Sequence, residues 1–375
     1  MQKVGILGGG QLGRMLLQAA ANYPVETHVL ENDDNCPAAH LCRHFIKGDI
    51  RDFDTVYNFG KNLNAITIEI ENVNVEALEK LEQEGVQVFP KPSVLRTIKN
   101  KVLQKQYYHE HGIPTAEFTI LQSNQEIFDW AHLLPGVQKL ATGGYDGKGV
   151  QIIEDLSSSH FGFDEHSVLE KKIKIKKEVA LMIAVGQDGK TALYPPVEML
   201  FNKDLNLLDF QICPADIGKE VWWKAEAISL SVVRNFNSPG LFAVELFVDE
   251  NNEVFVNETA PRVHNSGHHT IEAHYSSQFD MLWRIILGYP LGNTKYILPS
   301  AIINLIGSDN HSGEPYYNGL EEVLSIDNAF LHLYGKQQTK PGRKMGHVTV
   351  LSSERADLIY KANKIKQALT VITKE

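Results

Sequence analysis

The sequence predicts an α/β (α+β) chain of more than one domain that opens in a Rossmann-like unit. Three observations carry this. A short apolar strand, Val4 to Leu7, runs through Gly8-Gly9-Gly10-Gln11-Leu12-Gly13 into the helical composition of Arg14 to Asn22, which is the strand, glycine turn, helix order of a nucleotide-binding unit. Farther on, apolar runs fold back at Asp188-Gly189 and at Asn251-Asn252, as antiparallel hairpins do. The 375 residues, 43% apolar and 22% charged, are enough for two or three globular domains.

Composition excludes several classes. The net charge of −10 argues against a general nucleic-acid surface, so local basic clusters must answer local anions. No stretch reaches the roughly 18 to 20 apolar residues that span a membrane, and no signal-peptide pattern precedes the first strand. Cys36, Cys42 and Cys213 lack metal-ligand spacing and read as thiols in a reducing compartment. A cytoplasmic protein is expected.

In the first unit, Glu31 ends a second strand, close to the roughly 20-residue spacing at which an acidic side chain holds a ribose. Further strands at His44 to Ile46, Ala65 to Ile70 and Val86 to Phe89 each run into polar or turn residues. Ligands of open parallel sheets bind beyond the carboxyl ends of strands, so these termini are expected to face one crevice. The glycine turn would offer backbone N–H groups and a helix N-terminus to a phosphate, whether of a nicotinamide cofactor or of a phosphorylated substrate.

Asn100 caps a helix to about Glu110, with Lys101 and Lys105 on one face, a pair that is ordinarily solvated. Val137 to Leu140 and Val150 to Ile153 read as strands around a loop, Thr142 to Gly149. The loop is no Walker A motif, because Lys148 precedes Gly149 and a strand follows; it is either a long β-turn or a cover over a triphosphate, with Lys139 and Lys148 as counter-charges. Val168 to Lys171 is a strand end, and Glu178 opens the run Val179 to Val185. Glu170 and Glu178 could receive an adenine amino group and a ribose, or be surface charges. Lys219 to Asn237 has helical spacing, with Val221, Ala225, Ile228, Val232 and Phe236 on one face.

The hairpin over residues 243–260 pairs Glu250 with Glu253 if Asn251-Asn252 is a two-residue turn, which carries Glu245 opposite Glu258 on one face. Two carboxylates about 4 Å apart repel by about 1 kcal/mol in water and about 4 at an intermediate dielectric, and a cation reverses the sign. The pair is therefore a platform for magnesium, with Asn257 as a neutral oxygen ligand beside it, unless it is a solvated hairpin whose side chains splay. Arg262, His264, Asn265, Ser266, His268 and His269 then crowd donors around Gly267, as an anion requires, unless the segment is only a polar surface loop. A helix from Ser277 to Leu287 closes on Gly288. Strands follow at Ala301 to Ile306, Ala329 to Tyr334 and Val348 to Leu351. A basic loop, Lys336 to His347, suits a phosphate, with Arg343 as a bidentate donor, or is simply solvated. Asp357 to Lys374 is expected to be an amphipathic helix.

Five motifs taken in order, Gln11-Leu12-Gly13-Arg14-Met15, Glu69-Ile70-Glu71-Asn72-Val73, Gly143 to Gly149, Asn257 to His268 and Pro341 to His347, resemble the N5-carboxyaminoimidazole ribonucleotide synthetases of purine biosynthesis, within the ATP-grasp ligases. The resemblance implies a Rossmann-like (pre-ATP-grasp) domain over 1–95, an ATP-grasp domain over 96–295 with a mobile lid at about 115–180, a small C-terminal α/β domain over 296–375, and a homodimer. It implies ATP, magnesium, bicarbonate and 5-aminoimidazole ribonucleotide as ligands. Lys101, Lys139, Gly144, Gly147, Lys148, Glu170, Lys171, Ile173 and Glu178 would contact ATP, and Glu245, Asn257 and Glu258 the metal. Gly10, Gln11, Leu12, Glu71, Lys336 and Arg343 would hold the ribonucleotide, and Arg262, His264, Asn265, Ser266, His268, Tyr145 and Asp146 would act on bicarbonate and the amine. Ala141 stands where the family carries a basic residue, which implies weaker nucleotide binding or a compensating lysine. The rivals are a formate-dependent transformylase of the same superfamily, a nicotinamide oxidoreductase and a non-catalytic nucleotide-binding regulator.

Overall fold

The computed structural model describes residues 1–143, 149–202 and 207–374. Its first unit is a parallel sheet of β1 (Gln2–Leu7), β2 (Val25–Glu31), β3 (His44–Lys47), β4 (Ala65–Ile68) and β5 (Gln87–Phe89), in the order β3-β2-β1-β4-β5. Helices α1 (Gln11–Ala20), α2 (Phe53–Gly60) and α3 (Val75–Gln83) connect the strands, and α4 (Pro92–Ile98) and α5 (Lys101–Glu110) lead out of the sheet. Asp52, Asn74 and Asn100 cap α2, α3 and α5 by accepting from backbone N–H groups of the first turn.

The glycine turn departs from the expectation. The Glu69 carboxylate, just past β4, accepts from the Gly10 N–H at 2.6 Å and the Gly13 N–H at 2.7 Å, and Glu31 accepts from the Gly9 N–H at 3.0 Å. A side chain of this protein thus fills the place at the start of α1 where a pyrophosphate would sit, and its charge would repel one. The glycines serve this approach: a Cβ on Gly10 would lie 2.6 Å from Glu69 Oε1. The nicotinamide reading loses its only support.

A small antiparallel sheet follows, β6 (Phe118–Leu121), β7 (Gly136–Leu140), β8 (Val150–Ile153) and β9 (Ser167–Lys171), in the order β6-β9-β7-β8. The largest sheet contains β10 (Ile175–Val185), β11 (Thr191–Leu193), β12 (Val197–Asn202), β13 (Leu207–Cys213), and, after α6 (Lys219–Phe236), the hairpin β14 (Gly240–Asp249) and β15 (Val254–Ala260). Short α7 (Thr270–Ala273) and α8 (Gln278–Ile286) come next, and then β16 (Ser300–Ile306). After β17 (Pro315–Asn318) and α9 (Leu320–Leu324) come β18 (Ala329–Leu333), β19 (Lys344–Leu351), α10 (Arg355–Ala368) and β20 (Thr370–Thr373). The sheet runs β15-β14-β10-β12-β13-β16-β19-β18, with β11 on β10, so it crosses the expected boundary at 295/296 through the pairing of β13 with β16. The expected closing helix instead stops at Ala368, and the β-branched run Thr370 to Thr373 pairs with β17.

The hairpin corrects one reading and keeps another. Its turn is not two residues: Asp249 N–H donates to Glu253 O at 3.0 Å, which leaves a loop of Glu250, Asn251 and Asn252, with Asn252 at φ 62°. Val248 therefore pairs with Val254, one residue out of the expected register. A bulge between Leu246↔Val256 and Glu245↔Glu258 absorbs the difference, and Asn257 is the extra residue. The carboxylates end up opposed as expected. Trp283 of α8 donates its indole N–H to Leu16 O of α1 at 2.7 Å and joins the core that links the first unit to the large sheet. Among the described residues, no helix is long and apolar enough to cross a membrane.

Candidate active site

Helix α5, the small sheet and the face of β10, β14 and β15 meet at one polar cleft. Lys101 opens α5, so its side chain leaves the helix start toward the hairpin, and its Nζ donates to Glu258 Oε2 at 2.8 Å. Lys139 and Glu170 lie diagonally on one face of the β7·β9 ladder, where Lys139 faces Val168 and Val137 faces Glu170. The bulge aims Asn257 at that face, and its Oδ1 accepts from Lys139 Nζ at 2.9 Å. Lys105, one turn after Lys101, is buried and donates to Thr115 Oγ1 at 2.5 Å, and it lies 3.0 Å from Glu170 Oε2.

Charge in the cleft is arranged unequally. Lys101 beside it holds the Glu258 carboxyl well below the usual carboxylate range, against the opposing effect of burial. Glu245 is pushed the other way, first by burial and then by the charges of Glu258 and Glu178, although Lys101 and Lys344 pull it back. Burial also raises Glu178 to about 7. Without a cation, one carboxylate of the opposed pair is ionised and its neighbour favours its proton. The Glu258 side chain keeps 44% of its surface exposed and Glu245 20%, so the pair opens to solvent on one side.

Beyond β15 the chain turns back over this face. Arg262 Nε lies 2.8 Å from Glu71 Oε1, and an Arg262 Nη1 N–H donates to Val263 O. His264 Nε2 lies 3.8 Å from Glu245 Oε1, and its Nδ1 is 3.0 Å from Ser266 Oγ. Gln278, wholly buried, fixes this segment: its Oε1 accepts from the His264 N–H at 2.8 Å, and its Nε2 donates to His264 O at 2.8 Å and reaches His268 Nδ1 at 3.1 Å. A Cβ on Gly267 would lie 2.5 Å from Gln278 Oε1, which explains the glycine.

The expected site residues thus separate into groups. Lys101, Lys139, Glu170, Glu178, Glu245, Asn257, Glu258, Arg262 and His264 converge on the cleft, and Asn265 and Ser266 follow His264 in its turn, Ser266 buried. Glu170 does not face outward: it is buried between two lysines, Lys105 and Lys139, each 3.0 Å away, so it orients them rather than meeting a ligand itself. His268 is also buried, its ring tilted against that of His347 with centroids 4.9 Å apart, and burial keeps it neutral; it supports the loop from behind. Lys171 is exposed beside Glu117, and Ile173 lies in the link to β10. The Gly10 N–H is already bonded to Glu69, Gln11 stays partly exposed in the first turn of α1, and Leu12 is buried. Lys336 donates to Lys344 O at 2.7 Å and Arg343 to Gln338 O at 2.8 Å. A cavity of about 300 Å³ between α1 and β18, lined by Arg14, Met15, Gln18 and Leu331 to Tyr334, sets that loop beside α1. Gly144, Tyr145, Asp146, Gly147 and Lys148 lie outside the described residues.

Sequence reasoning passed over Lys105, Lys344 and Gln278. A signal existed for Lys105, which falls on the stripe of Val102 and Tyr108, the buried face of α5. Ala141 packs with Val102 and Val168, and its carbonyl accepts from the Lys101 N–H at 2.8 Å, so the position is apolar core at the edge of the cleft. Nothing local marks Lys344 or Gln278.

Three family descriptions match successive parts of the chain: the ribonucleotide synthetase preATP-grasp domain over 1–99, the ATP-grasp domain over 106–279 and the phosphoribosylaminoimidazole carboxylase C-terminal domain over 300–361. The chain is 35% identical, across 95% of its length, to the chloroplastic phosphoribosylaminoimidazole carboxylase of Vigna aconitifolia, and it spans 65% of that relative's length. The crystal structure of N5-carboxyaminoimidazole ribonucleotide synthetase from Thermotoga maritima superposes with a TM-score of 0.93 at 35% identity, covering 100% of both chains. That of N5-carboxyaminoimidazole synthase from Aspergillus clavatus, in complex with ADP and 5-aminoimidazole ribonucleotide, has a TM-score of 0.88 at 32% identity, covering 97% of this chain and 99% of the other.

Proposed function

The chain belongs to the N5-carboxyaminoimidazole ribonucleotide synthetase family of ATP-grasp ligases, and from that membership we propose that it joins bicarbonate to the amine of 5-aminoimidazole ribonucleotide as ATP is cleaved to ADP and phosphate. A bicarbonate oxygen attacks the γ-phosphorus and the bond to ADP breaks, giving carboxyphosphate. The amine then attacks the carboxyl carbon and phosphate leaves. Phosphoryl transfer of this kind depends on positioning and on neutralising charge. Lys101 and Lys139 supply fixed positive charge toward a triphosphate, held in place by Glu258, Asn257 and Glu170. Arg262 and the His264 to Ser266 turn face the same cleft and suit the carboxylate and phosphate oxygens of the intermediate. Glu71, Lys336 and Arg343 are assigned to the ribonucleotide, on the far side of Arg262.

The observation that carries this reading is the opposed Glu245 and Glu258 pair, whose mutual repulsion marks a place for a cation. Two carboxylates beside an amide oxygen form an all-oxygen donor set, which fits magnesium. Glu245 and Glu258 would hold it, with Asn257 adjacent, and when bound it supplies charge between the phosphates. The test is ADP release with magnesium and ATP, adding the ribonucleotide, bicarbonate or formate singly and then the ribonucleotide with either. Release that requires the ribonucleotide and rises with bicarbonate is expected; release driven by formate would replace this reading with the transformylase.

Family resemblance also supports a homodimer, checked by light scattering on the eluting protein, and a cytoplasmic setting consistent with three free cysteines.

A further inference from the structure

Behind the cleft, on the far side of the His264 to His268 segment, lies a cluster that the ligase reaction does not use. Cys213 ends β13, His269 precedes α7 and His274 follows it, and all three side chains are buried. The thiol sulfur and one nitrogen of each imidazole all lie within 4.8 Å of one another. We propose that Cys213, His269 and His274 form a binding site for one zinc ion that ties the anion-facing segment to the central sheet.

The donor set is the first argument. Thiolate and imidazole are the ligands that borderline cations such as zinc prefer over magnesium or calcium. In a tetrahedral zinc site, with Zn–S about 2.3 Å and Zn–N about 2.0 Å, ligand atoms stand roughly 3.5 Å apart. The ligand atoms of the cluster, all within 4.8 Å of one another, lie near that spacing.

Orphaned nitrogens are the second. Neither ring nitrogen of His269 nor of His274 makes a hydrogen bond of normal geometry, although the rings lie 4.9 Å apart and the Ser266 backbone lies near His269. Buried polar atoms left so cost on the order of 1 to 3 kcal/mol each. An ion takes one nitrogen from each ring and leaves the other to orient the ring, as zinc-bound histidines usually are. Burial keeps both imidazoles neutral, with free lone pairs. Cys213 has only a weak contact, 4.0 Å from Pro195 O. Ser300, paired directly opposite Cys213 and carrying a buried unpartnered hydroxyl, stands on the same face, so the fourth position falls to it or to a water. The other compatible group, Glu26, His28 and His44, lacks these marks: Glu26 already bonds both imidazoles.

Binding replaces the Cys213 S–H bond with an S–Zn bond and releases one proton to solvent, so affinity rises with pH. The test uses the full chain, reduced, stripped with a chelator and held in excess magnesium to fill the oxygen site. Titration with cobalt(II) is expected to give a near-ultraviolet thiolate-to-cobalt band and intense tetrahedral visible bands, both abolished by one equivalent of zinc. Cys213→Ser loses the near-ultraviolet band, and His274→Asn weakens binding at least tenfold. Zinc raises the melting temperature of the wild type and not of C213S. A folded wild type with no thiolate band overturns the proposal, and so does a band that persists in C213S, since Cys36 or Cys42 would then be the ligand.

Discussion

Lys105 is buried where a solvated lysine was expected, and its surroundings explain why it stays. Two lysines, Lys105 and Lys139, share the one buried carboxylate of Glu170. Burial disfavours charge on Glu170, but the two ammonium groups outweigh it and hold the carboxyl low. Lys105 has less in return: burial and repulsion from Lys139 and Lys101 bring it down to about 8 despite Glu170. Removing Lys105 leaves Glu170 half-paired in a low dielectric, so Lys105→Met is expected to cost about 3 kcal/mol in chemical denaturation. In a Glu170→Gln background the same change should cost less than about 1 kcal/mol, and equal costs in both backgrounds would refute the shared-charge account. Glu178 and Glu245 give a second residue-scale prediction. Their folded values lie above the ordinary 4.5, so their protonated forms stabilise the metal-free protein at low pH, and that contribution fades as pH rises toward 7 for Glu178 and beyond it for Glu245. Between about pH 5 and pH 8 these two groups should therefore lower the stability of magnesium-free protein, and with it the melting temperature, on the order of 1 to 3 kcal/mol for Glu178, against the buried neutral His268, His269 and His274, which raise it up to about pH 6.5. Magnesium should oppose the fall, because it takes the ionised pair, and Glu178→Gln should flatten part of it. A profile unchanged by E178Q would mean that Glu178 titrates normally.

At the level of elements, the bulge at Asn257 decides whether the hairpin presents a metal platform. A ladder continued from Val248↔Val254 with every residue in register would set Asn257, not Glu258, opposite Glu245, and the bulge passes that place on to Glu258. Deleting Asn257 leaves Glu258 directly after Val256 and still opposite Glu245, so the deletion and Asn257→Ala, which both lose the bond to Lys139, should each retain magnesium-dependent ADP release at a reduced rate. Release abolished in the deletion variant alone would show that the bulged backbone, and not only the opposed pair, is required. The same hairpin shows what was legible in the chain. Alternation and Asn-rich turns are local signals, so the strands and the carboxylate pair could be read; a turn of three residues and a compensating bulge could not, because each cancels the other's effect on the pair. Strands β12 and β13 escaped because they are recognised by what they pair with, β10 and β16, across long stretches of chain. The glycine turn was read for a ligand, since nothing in Gly8 to Gly13 announces that Glu69, far along the chain, will occupy it. The tail was the avoidable miss, because Thr370-Val371-Ile372-Thr373 is a β-branched run at the end of an amphipathic helix.

Across the whole molecule, the parts of the sequence are joined more tightly than its division into domains implies. The first unit docks on the large sheet through α1 and α8, with Trp283 buried in a core that runs from Val4 to Ile286. The last eighty or so residues extend the large sheet itself: Cys213 pairs with Ser300 and Phe210 with Ile303, and Phe210 and Ile212 share a core with Met345, Val348, Leu358 and Ile365. A sheet cut between β13 and β16 would expose an unpaired edge and an apolar face together, so the C-terminal part should neither fold alone nor unfold alone. Calorimetry of the full chain is expected to give one transition with equal calorimetric and van't Hoff enthalpies. A chain ending before β16 should aggregate or bind a hydrophobic dye at temperatures where the full chain does not. Two resolved transitions, or a soluble truncated chain with native ATP binding, would show that β16 is only laid against the sheet and that the cleft stands without it. The single transition follows from the topology, because β13 and β16 join the central and C-terminal strands edge to edge in one continuous sheet.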